Sequence, residues 1–453
     1  MREIPRSVER EFRTLDLGDE RRVQRAKRLA ASFLEAPESS IPVACGSGAE
    51  TKAAYRFLSS DVPAEALRAA QYDAAVERIG SQRRVLAVQD KTSLDFTCCP
   101  GTQGLGPLDS PLCRGLKVQT TFLLNEAGVP LGFIDQQAWA REEEVGKKHT
   151  RRQRVPEDKE SWYWRRGFEA AQERVPADVE IIGIADREAD AYPVLAMPRR
   201  EGMHLLIRSA HDRRVESEEH RRLREAVEAA PVAGEYDLKL GRTRRRDERT
   251  ARVEVRIAQV VLKPPRQGTN GRGLPPIELS VVWVRERGEV PKGEQRVEWL
   301  LLATWPVEDL KAALECVEMY AHRWKVERYH YVLKSGCRIE RLQLETADRL
   351  ERALALYSFV AWRLLWLTYQ ARRRGTSPCT DALEDDEWRV LLAISRVRKQ
   401  RVPPTLAEAV RLIAGFGGFQ GRKGDGDPGV KAIWQGWRRL MDFVLAARTL
   451  TRA

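Results

Sequence analysis

The sequence predicts an α/β core that carries a β-rich insertion and lies between two helical segments. Four short apolar runs are typical of strands, and they lie at about 83–90, 117–124, 130–139 and 179–185. Alternating β-type residues fill about 235–302. Helical periodicity dominates about residues 5–75 and most of the chain after residue 346.

The order of the core elements is strand, hairpin, helix and strand. The hairpin turns at 125–128, and the helix is predicted at about 159–174. This is the order of a ribonuclease-H-like core, so the predicted fold class is a ribonuclease-H-like α/β domain with helical flanks. The β-rich insertion at about 235–302 would separate this core from a helix at about 307–336. A further long helix is predicted at about 346–373.

Length and charge limit the classes of protein to consider. A chain of 453 residues is long enough for about three domains at ~150 residues each. We predict a helical domain at 1–70, the α/β domain at 71–373 and a second helical domain at 374–453. The chain has 78 Lys and Arg against 66 Asp and Glu, a net charge of +12, which favours a polyanionic partner such as nucleic acid.

Several classes are disfavoured by motifs that the sequence lacks. The seven cysteines are scattered, with neither a CxxC pair nor a His cluster at metal-ligand spacing, so neither a zinc site nor a disulfide framework is indicated. Charges run throughout the N-terminal segment, and we find no apolar run of about 18 residues. We therefore expect a soluble, cytoplasmic protein with no membrane partner.

Three acidic residues from distant parts of the chain suggest a metal site. Asp90 follows the first apolar run, Asp186 follows the last, and Glu327 stands among cationic and aromatic residues. Two-metal phosphodiester chemistry requires carboxylates that hold the ions roughly 3.5–4 Å apart. Taken singly, an Asp at the end of a strand is more often a turn residue or a helix cap, and we expect that role for Glu188 and Asp190.

The helix that carries Glu327 is predicted to present a phosphate-binding face. At ~100° per residue, Tyr320, Arg323, Glu327 and Lys334 project within an arc of roughly 60°. These four side chains would therefore address one substrate together.

Other charged groups have two interpretations each. The Arg runs 151–154 and 242–246 either follow a nucleic-acid backbone or lie in solvated loops. His322 and His330 are either acid–base groups or, as we expect, surface or interface residues.

Three motifs together resemble those of a known family. They are Asp90-Lys-Thr-Ser-Leu, Asp186-Arg-Glu-Ala-Asp, and the pattern Tyr-x2-Arg-x3-Glu-x6-Lys at 320–334. These motifs are similar to those of bacterial cut-and-paste DDE transposases of the insertion-sequence-four group, relatives of the transposon-five enzyme. The resemblance extends over the chain, and further similar segments are 17–25, 55–57, 299–302, 417–419 and 434–437.

The resemblance implies a transposase that nicks the 3′ strand at the transposon end, forms a hairpin intermediate and joins the element to target DNA. It implies that Asp90, Asp186 and Glu327 are catalytic and bind two Mg²⁺ ions, which Mn²⁺ can replace, with no other cofactor-binding residues. The implied partners are terminal inverted repeats, target DNA and a second copy of the chain, in the bacterial nucleoid. The implied DNA-binding residues are Arg21, Arg22, Arg25, Arg208, Trp299, Tyr320, Arg323, Trp324 and Lys334.

Alternatives to this interpretation remain open. A ribonuclease-H-fold nuclease of another kind would cut DNA without joining it, and an inactive descendant would bind DNA as a regulator. Trp299 either stacks on a flipped base or is buried in its strand. Trp434 and Trp437 either join two subunits or pack within one chain.

Overall fold

The chain folds into two compact units. The computed structural model describes residues 4–110, 112–142, 160–241, 247–266, 273–395 and 402–451. Unit 1 comprises Met1–Gly80, Lys91–Glu143 and Lys325–Ala453, and unit 2 comprises Ser81–Asp90 and Glu144–Trp324. The predicted domain boundaries stay predictions, and the Arg runs 151–154 and 242–246 lie outside the described residues.

Strands and helices occur largely where the sequence predicts them. The strands are β1 (Arg84–Asp95), β2 (Gly106–Pro107), β3 (Arg114–Asn125), β4 (Pro130–Trp139), β5 (Glu180–Ala185), β6 (Met203–Arg208), β7 (Val232–Leu240), β8 (Arg249–Leu262), β9 (Ile277–Glu286) and β10 (Glu298–Ala303). The first helices are α1 (Arg6–Glu11), α2 (Glu20–Glu35), α3 (Ile41–Cys45), α4 (Gly48–Leu58), α5 (Ala64–Glu77), α6 (Glu160–Arg174), α7 (Tyr192–Leu195) and α8 (Leu223–Ala229). The later helices are α9 (Leu310–Ala321), α10 (Trp324–Tyr331), α11 (Ala347–Arg373), α12 (Asp385–Ile394), α13 (Leu406–Phe416) and α14 (Val430–Leu450). No helix in the described part of the chain is long and apolar enough to cross a membrane.

Unit 2 is built on a mixed sheet. The N-terminal part of β1 pairs in parallel with β5, and β5 pairs in parallel with β6. Antiparallel strands continue the sheet in the order β10, β9, β8 and β7. The apolar runs of β1 and β5 are fully buried, as expected for parallel strands that are covered on both faces.

Strand β1 is longer than predicted. It continues to Asp95, so the expectation that it ends at Asp90 is wrong. The apolar run that marks it stops at Val88, and the half-buried polar residues 90–93 hide the continuation from a search for apolar patterns.

Unit 1 combines the predicted hairpin with helices. β3 and β4 pair antiparallel, and Gly128 adopts a φ of +74° in the connecting turn, a conformation that favours glycine. The buried side chain of Gln136 on β4 joins this hairpin to the helices: it donates to the Tyr329 hydroxyl at 2.9 Å and accepts from the Ser358 hydroxyl at 2.9 Å. The hairpin and α11 therefore share one buried polar network with α10.

Candidate active site

Asp90 on β1 and Asp186, the first residue after β5, are matched in register at the ends of the paired segments of these two parallel strands in unit 2. The last residue pair assigned between β1 and β5 is Val88 with Ile184, and each acid lies two residues beyond that pair. One Asp186 carboxylate oxygen accepts a 2.9 Å hydrogen bond from the backbone N–H of Glu188, and Asp186 thereby caps the short 3₁₀ turn Arg187–Ala189. Two acids from distant parts of the chain thus lie at the same level of one sheet.

The two carboxylates influence each other electrostatically. Burial raises the pKa of Asp186, and the negative charge of Asp90 raises it further. The backbone N–H of Glu188 and the guanidinium of Arg323 lower the same pKa, but burial outweighs them. The Asp90 and Asp186 carboxylates therefore place two negative charges close together at a position that is partly shielded from solvent.

Arg323 supplies positive charge beside this pair. Its guanidinium lies 3.7 Å from an Asp90 carboxylate oxygen, and the residue is only 8% exposed. Burial raises the pKa of the neighbouring Tyr320, whereas the charges of Arg323 and Arg208 lower it. The structure therefore brings together Asp90, Asp186, Arg208, Tyr320 and Arg323 within unit 2.

The single helix predicted at about 307–336 is wrong. Helix α9 ends at Ala321, residues 322 and 323 form a turn, and α10 begins at Trp324. Residues Val332–Gly336 then form a π-helical turn. The predicted 60° arc assumed 100° per residue throughout, and both irregularities break that spacing.

Glu327 lies in the first turn of α10, in unit 1. The buried face of this helix carries Val326 and Tyr329, which are fully buried, and His330, which is 5% exposed. His330 lies 3.3 Å from the Thr120 hydroxyl, so its expected surface or interface position is wrong. Because His330 occupies the inward face of an amphipathic helix, packing decides its position.

Lys334 is held by an acid that sequence reasoning missed. Its ammonium lies 3.2 Å from a Glu340 carboxylate oxygen, which also accepts a 2.9 Å hydrogen bond from the Asp95 backbone N–H. Nothing in the local sequence marks Glu340 as a partner, because Lys334 itself lies in the π turn and a left-handed Arg338 stands between the two residues.

Two indoles lie beside Tyr320 and Arg323 in unit 2, and neither is fully buried. Trp299 on β10 is half-buried, and its ring centroid lies 5.9 Å from that of Tyr320. Trp324 is 59% exposed, and the Arg323 guanidinium lies 5.4 Å from its ring centroid. Trp299 is therefore not fully buried in its strand, and its base-stacking role stays a prediction.

Asp190 has the structural role that we expected. Its carboxylate is fully buried and receives two hydrogen bonds from the Arg213 guanidinium, at 2.6 and 3.1 Å. The backbone N–H groups of Ala210 and His211 also donate to it. This pairing excludes Asp190 as a competitor of Asp186 for metal.

The basic residues of the N-terminal domain fall into two groups. On α2, Arg22 lies 3.0 Å from Asp61 and Arg25 is paired with Glu50, while Arg21 is exposed. On α4, Lys52 and Arg56 line a depression of about 1000 Å³ and have no acidic partner among the described residues. Sequence reasoning missed Lys52, because one lysine on a short helix carries no distinguishing pattern.

Trp434 and Trp437 pack within the chain. They are 3% and 2% exposed, and the Trp437 indole N–H donates to the Leu34 carbonyl at 2.9 Å. The Trp434 ring lies 5.1 Å from that of Tyr331. Of the two alternatives for these indoles, the structure therefore supports packing within one chain.

The acidic pair offers the donor atoms that a hard divalent cation binds. Among the residues that the structure describes, no group of three or more His, Cys, Asp or Glu side chains is arranged to hold a metal ion. Asp90 and Asp186 offer only carboxylate oxygens, which are hard ligands of the kind that Mg²⁺ and Mn²⁺ accept. The chemistry of this pair fits a divalent cation, and the inclusion of Glu327 stays a prediction.

Three family models match the chain. A transposase DNA-binding model matches residues 6–62, a transposase DDE domain matches 142–363, and the Tn5 transposase dimerisation domain matches 359–452. The chain belongs to the Tn5-like DDE transposases. Its α/β core is thus a ribonuclease-H-like DDE domain, as predicted. Asp186 and Glu327 fall within the DDE match, whereas Asp90 precedes it.

One solved structure is also similar to this chain. It is a cryo-EM structure of a piggyBac transposase synaptic complex with hairpin DNA. The similarity covers 65% of this chain and 48% of that chain, at 9% sequence identity and a TM-score of 0.31. The chain thus spans about half the length of that protein.

Proposed function

We propose that the chain is a DNA transposase that nicks DNA at the ends of its element, forms a hairpin and joins the freed 3′ end to target DNA. The observation that carries this proposal is the register match of Asp90 and Asp186, with the Arg323 guanidinium beside them. The match to a transposase DDE domain supplies the reaction class.

Asp90, Asp186 and Glu327 are the proposed ligands of two Mg²⁺ ions, with Mn²⁺ as a substitute. Such ions stabilise the charge that develops on the attacking and leaving oxygens of an in-line displacement. The raised pKa of Asp186 supports this assignment, because a carboxylate that loses hydration near a like charge gains from a bound cation.

The surrounding side chains are proposed to hold DNA. Arg323 and Lys334 hold phosphates through charge-assisted hydrogen bonds. Trp299 receives the base that leaves the stack when the hairpin forms, with the Tyr320 ring beside the indole and Arg208 hydrogen-bonded to Tyr320. Stacking of this kind offsets ~1–3 kcal/mol of the unstacking cost.

The terminal regions are proposed to bind the element's ends and a second subunit. Residues 6–62 match a transposase DNA-binding model, so Arg21, Arg22 and Arg25 are expected to contact DNA, together with Lys52 and Arg56. Residues 359–452 match a dimerisation domain, so a complex of two subunits and two ends is expected.

The decisive experiment incubates the full-length protein with Mg²⁺ and an oligonucleotide that bears the element's terminal inverted repeat. We expect a nick, a hairpin and a strand-transfer product. Cleavage without joining would indicate a structure-specific nuclease, and binding without cleavage would indicate a regulator.

Three variants test the proposed ligands. Asp90→Ala, Asp186→Ala and Glu327→Ala should each abolish nicking but leave binding to the end largely intact. Asp178→Ala, at an exposed position after α6, is the matched control and should cut normally. Near-parental cutting by Asp90→Ala would refute the assignment.

A further inference from the structure

Two adjacent thiols in unit 1 lie side by side. Cys98 is exposed and Cys99 is 7% exposed, and their sulfur atoms are 3.7 Å apart. Burial raises the pKa of the Cys99 thiol. One thiol of the pair is thus open to solvent, and the other is sheltered behind it.

Both thiols face the backbone of a second segment. The Cys98 sulfur lies 3.7 Å from the Glu340 carbonyl oxygen, and the Cys99 sulfur lies 3.6 Å from the Leu342 carbonyl oxygen. The contacts continue along the chain, where Thr102 donates to the Leu344 carbonyl at 2.7 Å. We call residues 98–103 the thiol strap.

The thiol strap is connected to a proposed phosphate-binding residue. The Glu340 backbone carbonyl oxygen accepts the S–H of Cys98. The Glu340 carboxylate forms an ion pair with the Lys334 ammonium at 3.2 Å. The same carboxylate accepts the Asp95 backbone N–H. Glu340 thus contacts Cys98 through its backbone carbonyl and Lys334 through its side chain.

We propose that Cys98 and Cys99 are a redox-sensitive pair that a peroxide converts into a disulfide, loosening the thiol strap from Glu340. The exposed Cys98 thiol gives up its proton and its sulfur attacks one peroxide oxygen; the O–O bond breaks, a sulfenic acid forms, and the leaving hydroxide takes up the proton to become water. The Cys99 thiol then attacks the Cys98 sulfur, and a second water leaves. Two thiols and one hydrogen peroxide thus give one disulfide and two waters.

Bond formation changes the contacts of the thiol strap. A disulfide bond is about 2.05 Å long, so the two sulfur atoms must approach each other by well over an ångström. Both sulfurs also lose the S–H that faces the carbonyls of Glu340 and Leu342. Thr102 keeps its own contact, so the effect is confined to the end near Glu340.

Peptide mapping of the full-length protein tests the disulfide. After treatment with hydrogen peroxide and alkylation of the remaining thiols, the peptide with Cys98 and Cys99 should be two hydrogens lighter and should revert with dithiothreitol. Cys98→Ser and Cys99→Ser should abolish this product, whereas Cys113→Ser, which removes a half-buried thiol of the same unit, should not. A sulfinic acid at Cys98, or a bond from Cys98 to Cys113, would overturn the proposal.

The consequence for DNA cleavage rests on the proposed function and is measured separately. Oxidised wild-type protein should cleave about tenfold more slowly, because one charge-assisted contact of Lys334 is displaced, and dithiothreitol should restore the rate. Cys98→Ser should keep its rate in peroxide. A mapped disulfide with an unchanged rate would refute the regulatory role, whereas a protein that never cleaves DNA would fail the proposed function and leave the mapping result valid.

Discussion

The guanidinium of Arg323 lies 3.7 Å from a carboxylate oxygen of Asp90, and the two side chains are only 10% and 15% exposed. The positive charge of Arg323 also lowers the pKa of Asp186. One cation therefore interacts favourably with both carboxylates. This position gives Arg323 an electrostatic role in the folded protein in addition to any contact with phosphate.

Replacing Arg323 should therefore affect both stability and activity. We expect Arg323→Ala to lower the free energy of unfolding by about 1–3 kcal/mol, because two partly buried carboxylates lose their shared cation. Hairpin formation should decline more than the first nick. Denaturant unfolding and a product-resolved cleavage assay measure these effects, with Arg328→Ala, exposed on α10, as control. Equal losses at both steps would count against a phosphate role.

The link between Arg323 and Asp90 could not be predicted from sequence, although much of the fold could. Long apolar runs such as those of β1 and β5 are strong signals, since parallel strands bury both faces. The break after Ala321 carries neither a Pro nor a Gly to mark it. Tertiary packing decides that geometry, so side-chain directions derived from ideal periodicity failed there.

Trp299 and Trp283 provide a matched pair for the base-stacking hypothesis. They lie on adjacent strands, but Trp299 is half-buried whereas Trp283 is 2% exposed. Trp299→Ala should leave the fold and the first nick near normal while hairpin product falls, and an abasic site at the flipped position should partly restore it. Trp283→Ala should instead cost about 3–5 kcal/mol of stability and reduce every step.

A general loss of stability in Trp299→Ala, with no rescue by the abasic substrate, would show that this indole only packs. Thermal unfolding of both variants, followed beside the cleavage assay, separates the two outcomes.

The basic residues of α4 should contribute more to DNA affinity than those of α2. Arg25 is paired with Glu50 and must give up that ion pair before it binds phosphate, whereas Lys52 and Arg56 lack acidic partners in the described part of the chain. Each of Lys52→Ala and Arg56→Ala should reduce the slope of log affinity against log salt by about 0.9 if it removes one phosphate contact. Arg25→Ala should change the slope less.

Fluorescence anisotropy across a salt series makes this comparison. An unchanged slope for both α4 variants would place the DNA-binding surface elsewhere, and a larger effect from Arg25→Ala would favour α2 as the sequence first suggested.

An apolar stripe on α14 is the better candidate for contact with a second subunit. Phe443 and Leu450 are 50% and 79% exposed and lie seven residues apart, about two helical turns, so they share one face. Apolar residues exposed together on a domain that matches a dimerisation model are typical of an interface core. The buried Trp437 cannot play this part.

Phe443→Glu combined with Leu450→Glu should therefore prevent assembly of two subunits on two ends while each subunit still folds and binds one end. Analytical ultracentrifugation with labelled end DNA measures this, because the one-end and two-end complexes differ in mass. Trp437→Ala is the contrasting control: it should destabilise the subunit itself by about 3–5 kcal/mol, since it removes a packed indole and its hydrogen bond to Leu34. A two-end complex that forms at parental yield in the double variant would assign the interface to another surface.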